Sequence, residues 1–349
     1  MSKEENLFFD DVEKIVNTDS SNYHKSLEEL PEKIEKIFLS FYGLTDKKNY
    51  EQIIIFCSDQ YKDNFDEVKL LFKRLFQIPI FIGDDQVDDY KALPDFSLIV
   101  FICHENKSKI IEKLIERMDG SNNKFVIINS DIHIASELFT DQIEVVHLEE
   151  LIGKSIQFPL IMTVCLAIAW SNGMIHHSLF DVTNLCKELR EILRKIDISI
   201  PSAKNPAKRL AGQMIDRMIV FIGIDFLKPA AKYWKEQINN VSRTWAQYEK
   251  LPGMKMDSIN GIYFPEKILS QSLFVFFNSK FLDDTRAKEV FEVKNYYLSS
   301  GIGTDEVVAR GTSILSQIYN TCIFGDYVAY YLSMMYGVDP KENQLYELD

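Results

Sequence analysis

The chain of 349 residues carries 52 acidic against 39 basic side chains, a formal net charge of −13. That balance excludes a general nucleic-acid binder, which presents a basic face. With 46% hydrophobic and 26% charged residues the composition is that of a globular protein, and the length suggests about two domains.

Taken in chain order, the start "MSKEENLFFDD" is acidic and has no apolar signal core, so residues 1–22 are expected to form a flexible segment. "SLEELPEKIEKIFLSF" (26–41) has the spacing of an amphipathic helix broken or restarted at Pro31. Strand-like runs follow at 52–58, 78–84, 96–104, 124–130 and 142–149. Helical patterns lie between them at 64–76 and 107–118, with a short one before the last strand. The longest apolar run, "FPLIMTVCLAIAW" (158–170), is shorter than the roughly 20 residues a membrane span requires; it reads as a helix buried on all sides, and no membrane partner is expected. After a helical stretch at 179–195 the alternation resumes. "NPAKRLAGQM" is a helix, "RMIVFIGID" (217–225) a strand and "LKPAAKYWKEQINNVSRTW" a helix. "SLFVFFNS" (272–279) is a strand, 283–300 a helix, and a long helix closes the chain at 312–336. There Gly337 suits the left-handed cap and Pro340 bars continuation.

Strands this apolar, alternating with helices, are buried on both faces. The expected class is α/β, with two domains at 23–155 and 156–349. Each is a mainly parallel sheet flanked by helices in three αβα layers. The five cysteines, Cys57, Cys103, Cys165, Cys186 and Cys322, have no CxxC spacing and read as buried thiols of a cytoplasmic protein. Adjacent His176 and His177 point in different directions on a helix and have no partner at ligand spacing, so neither a metal nor a cofactor is expected. "GIGTDE" (301–306) lacks GxGxxG and reads as a loop. Asp326, in "FGDYVAYYLSMMYGVDP" (324–340), is either catalytic or a helical carboxylate making a structural bond.

Several of these stretches together resemble the bifunctional phosphoglucose/phosphomannose isomerases. They are "SLEELPEKIEK", "NPAKRLA", "GIDFLKPAAKYWKEQIN" (223–239) and above all "RGTSILSQIYNTCIFGDYVAYYLSMMYGVDP" (310–340). The resemblance covers residues 26–349 and is strongest after 200. It implies two sugar-isomerase (SIS) domains in one chain, working as a dimer on sugar phosphates.

Such an isomerase holds its phosphate on hydroxyls and backbone N–H groups. It moves a proton with a carboxylate and opens the ring with a second acid or a cation. Here the first turn, "CSDQYKDNF" (57–65), has no glycine. The second loop, "ICHENKSKI" (102–110), has only Ser108 as a hydroxyl. Ser58, His104, Lys107 and Ser108 are the candidates for ligand contact. The family's base motif, Pro-Glu-x-Asn-His-Asn-Glu-x-x-Gly, is met by "PGMKMDSING" (252–261), which places Ser258 at the base and Met256 at the histidine. A serine hydroxyl cannot serve as that base. None of the six histidines follows residue 177. Asp257 or Glu249 as a displaced base, with Arg243 or Lys255 as the cation, is what remains for chemistry.

The losses fall on every chemical position, while the framework motifs persist. The expectation is a sugar-phosphate-binding SIS protein, a cytoplasmic homodimer that lacks the family's isomerase chemistry. The alternatives are an active isomerase with a displaced site and a structural or regulatory scaffold.

Overall fold

The apolar runs assemble into two parallel sheets in the computed structural model, which describes residues 10–41, 49–57, 59–84, 93–103, 121–129, 142–147, 158–175 and 181–340. The helices are α1 (Val12–Thr18), α2 (Tyr23–Glu28), α3 (Leu30–Phe41), α4 (Asp59–Leu75), α5 (Phe158–Ser171) and α6 (Val182–Ile196). They continue with α7 (Pro206–Met214), α8 (Lys228–Val241), α9 (Glu266–Leu269), α10 (Asp284–Ser299) and α11 (Ile314–Met335). The strands are β1 (Gln52–Cys57), β2 (Ile80–Asp84), β3 (Ser97–Cys103), β4 (Lys124–Asn129), β5 (Ile143–His147), β6 (Met218–Ile224), β7 (Ala246–Leu251), β8 (Ser272–Asn278) and β9 (Gly303–Val308). The helical patterns expected at 107–118 and before β5 lie outside the described residues.

The chain divides into one unit of residues 32–182 and another of residues 1–31 with 183–349. This differs from the 23–155 and 156–349 division drawn from the alternation pattern. The almost wholly buried α5 belongs with the first sheet's unit, where Phe158 meets the ring of Phe65 at 5.9 Å. Residues before Pro31 pack with the later unit. Tyr23 stacks on Tyr330 at 6.3 Å, and Asp10 accepts a hydrogen bond from the Ser202 backbone. Within the segment expected to be flexible, Val12–Thr18 is helical, capped by Asp11 and anchored by buried Ile15.

In unit 32–182 the strand order is β2-β1-β3-β4-β5, all parallel. Ile53 to Cys57 are buried without interruption, the signature of a strand covered on both faces. The Cys165 thiol, buried in α5, is pushed far up by burial and by nearby Cys57, so it behaves as core.

The other unit carries the order β7-β6-β8-β9, again all parallel. One face packs on α10, with Ile222, Leu251, Phe276, Val293 and Tyr297 at its centre. Facing the other way, Phe221 and Phe277 meet Trp234 of α8 at 5.5 and 5.1 Å. The entry "NPAKRLA" is explained locally. Asn205 accepts from the Ala207 and Lys208 backbones as the cap of α7, and Pro206 occupies the first turn, where no N–H is needed. Lys208 donates to the carbonyls of Ile198 and Ile200 at 2.8 and 2.9 Å, tying the incoming loop to the helix.

The runs read as strands form β1–β6 and β8. Two strands had no such signal, β7 "AQYEKL" and β9 "GTDEVV". Both are sheet edges, half-buried and polar. The second corrects the loop expected at 301–306. Gly303 pairs with Leu273, and a side chain there would meet the Ser272 carbonyl at 3.0 Å, so the glycine serves strand pairing and not a turn.

Candidate functional site

Parallel sheets bind ligands beyond their carboxyl ends, where the strand order reverses. In the first sheet that point lies between β1 and β3, which lead directly into Ser58 and His104. Ser58, His104, Lys107 and Ser108 lie outside the described residues. In the second sheet the reversal lies between β6 and β8, with β7 beyond β6.

At the β7 end the structure brings two predicted residues together. Glu249 pairs in register with Ile222 and so shares its face, the one covered by α10. The chain leaves β7 through two short 3₁₀ turns, Gly253–Met256 and Ser258–Asn260. Between them the Asp257 carboxylate accepts the Ser258 N–H at 2.5 Å, which starts the second turn. The Ser258 hydroxyl lies 2.9 Å from Glu249 Oε1 and 3.2 Å from Asp257 Oδ1. A hydroxyl has one proton, so it donates to one carboxylate at a time. Ser258, standing at the family's base position, is therefore a bridge between the two candidate bases.

Above this bridge lies Tyr297 of α10, stacked on Phe274 at 4.6 Å. Its hydroxyl is buried without a hydrogen-bond partner among the described residues. Burial first, then the nearby charges of Glu249, Tyr296 and Asp257, push it up to about 12. Tyr297 was not a sequence candidate, because its approach to Glu249 depends on how α10 crosses the sheet.

The cations are engaged elsewhere. Lys255 lies 3.6 Å from Glu289, and the same carboxylate takes Arg286 at 3.2 Å. Arg243 is not brought to the site. It is exposed, with φ 54°, in the link between Val241 and Ala246, at the amino end of β7 and opposite Asp257. At the neighbouring strand ends the polar groups satisfy each other. Asn278 donates to Glu306 at 2.8 Å and Lys294 pairs with the same carboxylate. Burial would raise the Glu306 carboxyl, but these two partners hold it below its usual value. The Ser279 hydroxyl is shared between Gln317 and the Phe281 N–H. What remains at the β7 end is acceptor-rich. It can take hydrogen bonds from ligand hydroxyls and opposes an anion.

Asp326 is fully buried in α11 and accepts the Tyr233 hydroxyl at 2.7 Å, so it has the structural bond and no access to solvent. His176 and His177 lie outside the described residues. Among those described there is no group of three or more His, Cys, Asp or Glu placed to hold a metal, and no helix long and apolar enough to cross a membrane.

The family model of the bacterial phospho-glucose isomerase C-terminal SIS domain matches residues 203–345. A bifunctional phosphoglucose/phosphomannose isomerase from Caldicellulosiruptor bescii is 24% identical over 169 residues, 48% of this chain and 50% of that protein. The chain thus matches about half the length of this curated relative. Among solved structures, the C-terminal domain of glucosamine-fructose-6-phosphate aminotransferase from Francisella tularensis aligns with TM-score 0.66 at 12% identity, over 92% of this chain and 97% of that one. Tagatose-6-phosphate ketose/aldose isomerase from Escherichia coli aligns with TM-score 0.62 at 11% identity, over 90% and 93%. At these identities the structural likeness is one of fold.

Proposed function

We propose that this chain, whose residues 203–345 match the bacterial phospho-glucose isomerase C-terminal SIS domain, is a divergent member of the bifunctional phosphoglucose/phosphomannose isomerase family and binds a sugar phosphate without isomerising it. The observation that supports this reading is the Ser258 bridge. A serine donating to Glu249 occupies the place of the base, and the adjacent cations pair with Glu289. Proton transfer between carbons needs a free base and an electrophilic partner, and the β7 end presents neither in that form. Phosphate contact falls in this reading to Ser58, His104, Lys107 and Ser108.

The protein acts as a cytoplasmic homodimer of two SIS domains. Support for self-association comes from the loop beyond β7, where Met256 and Phe264 are 84% and 85% exposed with Tyr263 beside them. Such a cluster favours burial against a partner.

One observation favours a second reading, an active isomerase with a displaced site: Glu249 and Asp257 do converge at a strand end. A coupled assay on glucose 6-phosphate and mannose 6-phosphate decides between them. Turnover above about 1 s⁻¹, within the ordinary enzyme range, sinks the binding-only reading. A third reading, a scaffold without a ligand, predicts no rise in melting temperature with either sugar phosphate, whereas a bound ligand must raise it.

A further inference from the structure

The charges at the β7 end do not cancel. Glu249, Asp257 and Glu289 meet the cations Lys255 and Arg286, and both cations pair with Glu289, at 3.6 and 3.2 Å. Lys250, the next residue of β7 after Glu249, projects to the other face of the sheet. Glu249 and Asp257 are left with the Ser258 hydroxyl, at 2.9 and 3.2 Å, whose one proton serves one carboxylate at a time. Asp257 also takes the Ser258 N–H. Glu249 has no other hydrogen bond or ion pair among the described residues.

Tyr297 is an independent pointer to the same place. Glu249, Ile222 and Phe276 form one register row across the sheet beneath α10. Tyr297 of α10 lies over that row, its ring 4.6 Å from Phe274 and 6.3 Å from Phe276. It is 1% exposed, its hydroxyl has no partner among the described residues, and the charges of Glu249 and Asp257 both act on it. A buried hydroxyl without a partner costs free energy. A ligand group with several donors, set among the two carboxylates and this oxygen, satisfies all three at once. Asp257 is exposed and Glu249 half-buried, so the cluster meets solvent on the Asp257 side.

We propose that the ligand is an amino sugar phosphate, whose protonated amine binds among Glu249, Asp257 and Tyr297. This rests on the reading of the chain as a sugar-phosphate binder and adds which sugar phosphates it selects. An ammonium brings three donors and no acceptor, and its bonds to carboxylates are of the strong, charge-assisted kind. A sugar hydroxyl brings one donor and no charge. A site built around such a group rejects the analogue that lacks it, because its own polar atoms are then left unpaired.

The test is titration calorimetry on the full chain at pH 6.5, where the amine is protonated. The probes are glucosamine 6-phosphate, glucose 6-phosphate and N-acetylglucosamine 6-phosphate, in which the nitrogen is an uncharged amide. Glucosamine 6-phosphate should bind about tenfold or more tightly than either of the others. Glu249→Gln and Asp257→Asn, which remove charge and keep an acceptor, should each bring that preference down to a few-fold. Tyr297→Phe should lower it several-fold. Asp257 is exposed, so Asp257→Asn is a variant whose folding is not at issue. Equal affinity for glucosamine 6-phosphate and glucose 6-phosphate overturns the proposal and leaves the sugar-phosphate reading standing. A preference that survives in all three variants also overturns it, since the amine then binds elsewhere. Absence of binding by all three probes at millimolar concentration overturns the proposal together with the reading beneath it.

Discussion

Gly325 of α11 lies against the indole of Trp234 of α8, so closely that a Cβ at 325 would overlap the ring atoms. The indole N–H donates to the Thr321 carbonyl at 2.8 Å, one turn earlier on α11. The neighbouring pair repeats the match, with Tyr233 donating to Asp326. The Gly-Asp step of one helix and the Tyr-Trp step of the other are thus a single packing device, with a flat ring on a missing side chain and a buried acid beside it.

Gly325→Ala should therefore destabilise the protein through overpacking. The ring is wedged between Phe221, Phe277 and Phe324 at 5.1–5.6 Å and has nowhere to move. The expected loss is about 3 kcal/mol, the upper end for an inserted methyl in a packed core, read as a lower urea midpoint with unchanged slope. An unchanged midpoint would mean that α8 and α11 separate easily and that the device is not a constraint.

The sequence showed this device only as an unbroken helix. Apolar spacing runs through Gly325 and Asp326, but nothing local names Trp234, 91 positions earlier, as the partner. The buried strands were legible for the opposite reason: β1, β6 and β8 are continuous apolar runs and need no partner to be seen. β7 and β9 were not, because an edge strand half-open to water keeps polar residues such as Glu249 and Asp305. The same limit shaped the site. Asp257 and Glu249 could be picked out as carboxylates near the lost base, but their meeting on Ser258 depends on the fold of the two short turns. Arg243 matched a basic position of the family and yet lies at the other end of its strand. Tyr297 comes to the site from α10, a separate segment of the chain, and no local pattern reports its meeting with Glu249 and Asp257.

Asp326 makes stability depend on pH. Burial pushes its carboxyl up to about 7, with the Tyr233 hydrogen bond acting the other way. In the unfolded chain an aspartate titrates near 3.9. Between these values the folded protein keeps a proton that the unfolded chain releases, so this group's contribution is fully present below about pH 4. It is lost as pH rises through about 7. The span corresponds to a difference on the order of 4 kcal/mol. Asp326→Asn cannot titrate, so its stability relative to the parent should improve steadily from pH 4 to 8 in urea denaturation. Parallel curves for the two proteins would show that the carboxyl does not change charge in the folded state.

Two tyrosines with buried hydroxyls should respond in opposite ways to loss of that oxygen. Tyr297 has no hydrogen-bond partner among the described residues, so Tyr297→Phe removes a desolvated group and should be neutral or stabilising by about 1 kcal/mol. Tyr233→Phe strips Asp326 of its donor and should cost about 1–3 kcal/mol, the penalty for leaving a buried acceptor unsatisfied. Thermal melts at pH 8, where Asp326 carries charge, give the clearest separation. Equal shifts for both variants would mean that the Tyr233 bond does not form in solution.

The strand-end chemistry can be tested in one residue. Each absent general acid or base typically costs about 10²–10⁴ in rate. With the base replaced by Ser258 and the histidine by Met256, a typical turnover of about 10 s⁻¹ should fall to roughly 10⁻³ s⁻¹ or below. If the weak remaining rate were carried by Glu249, Glu249→Gln would lower it by a further factor of about 10². The expected outcome is no such change: Glu249 accepts from Ser258 and acts as an acceptor for the bridge, so the variant should alter ligand affinity and leave the background rate untouched. A coupled assay with glucose 6-phosphate on both proteins, run beside calorimetry with the same compound, separates the two roles. A hundredfold drop in rate with unchanged affinity would make Glu249 a working base and the protein an isomerase with a relocated carboxylate.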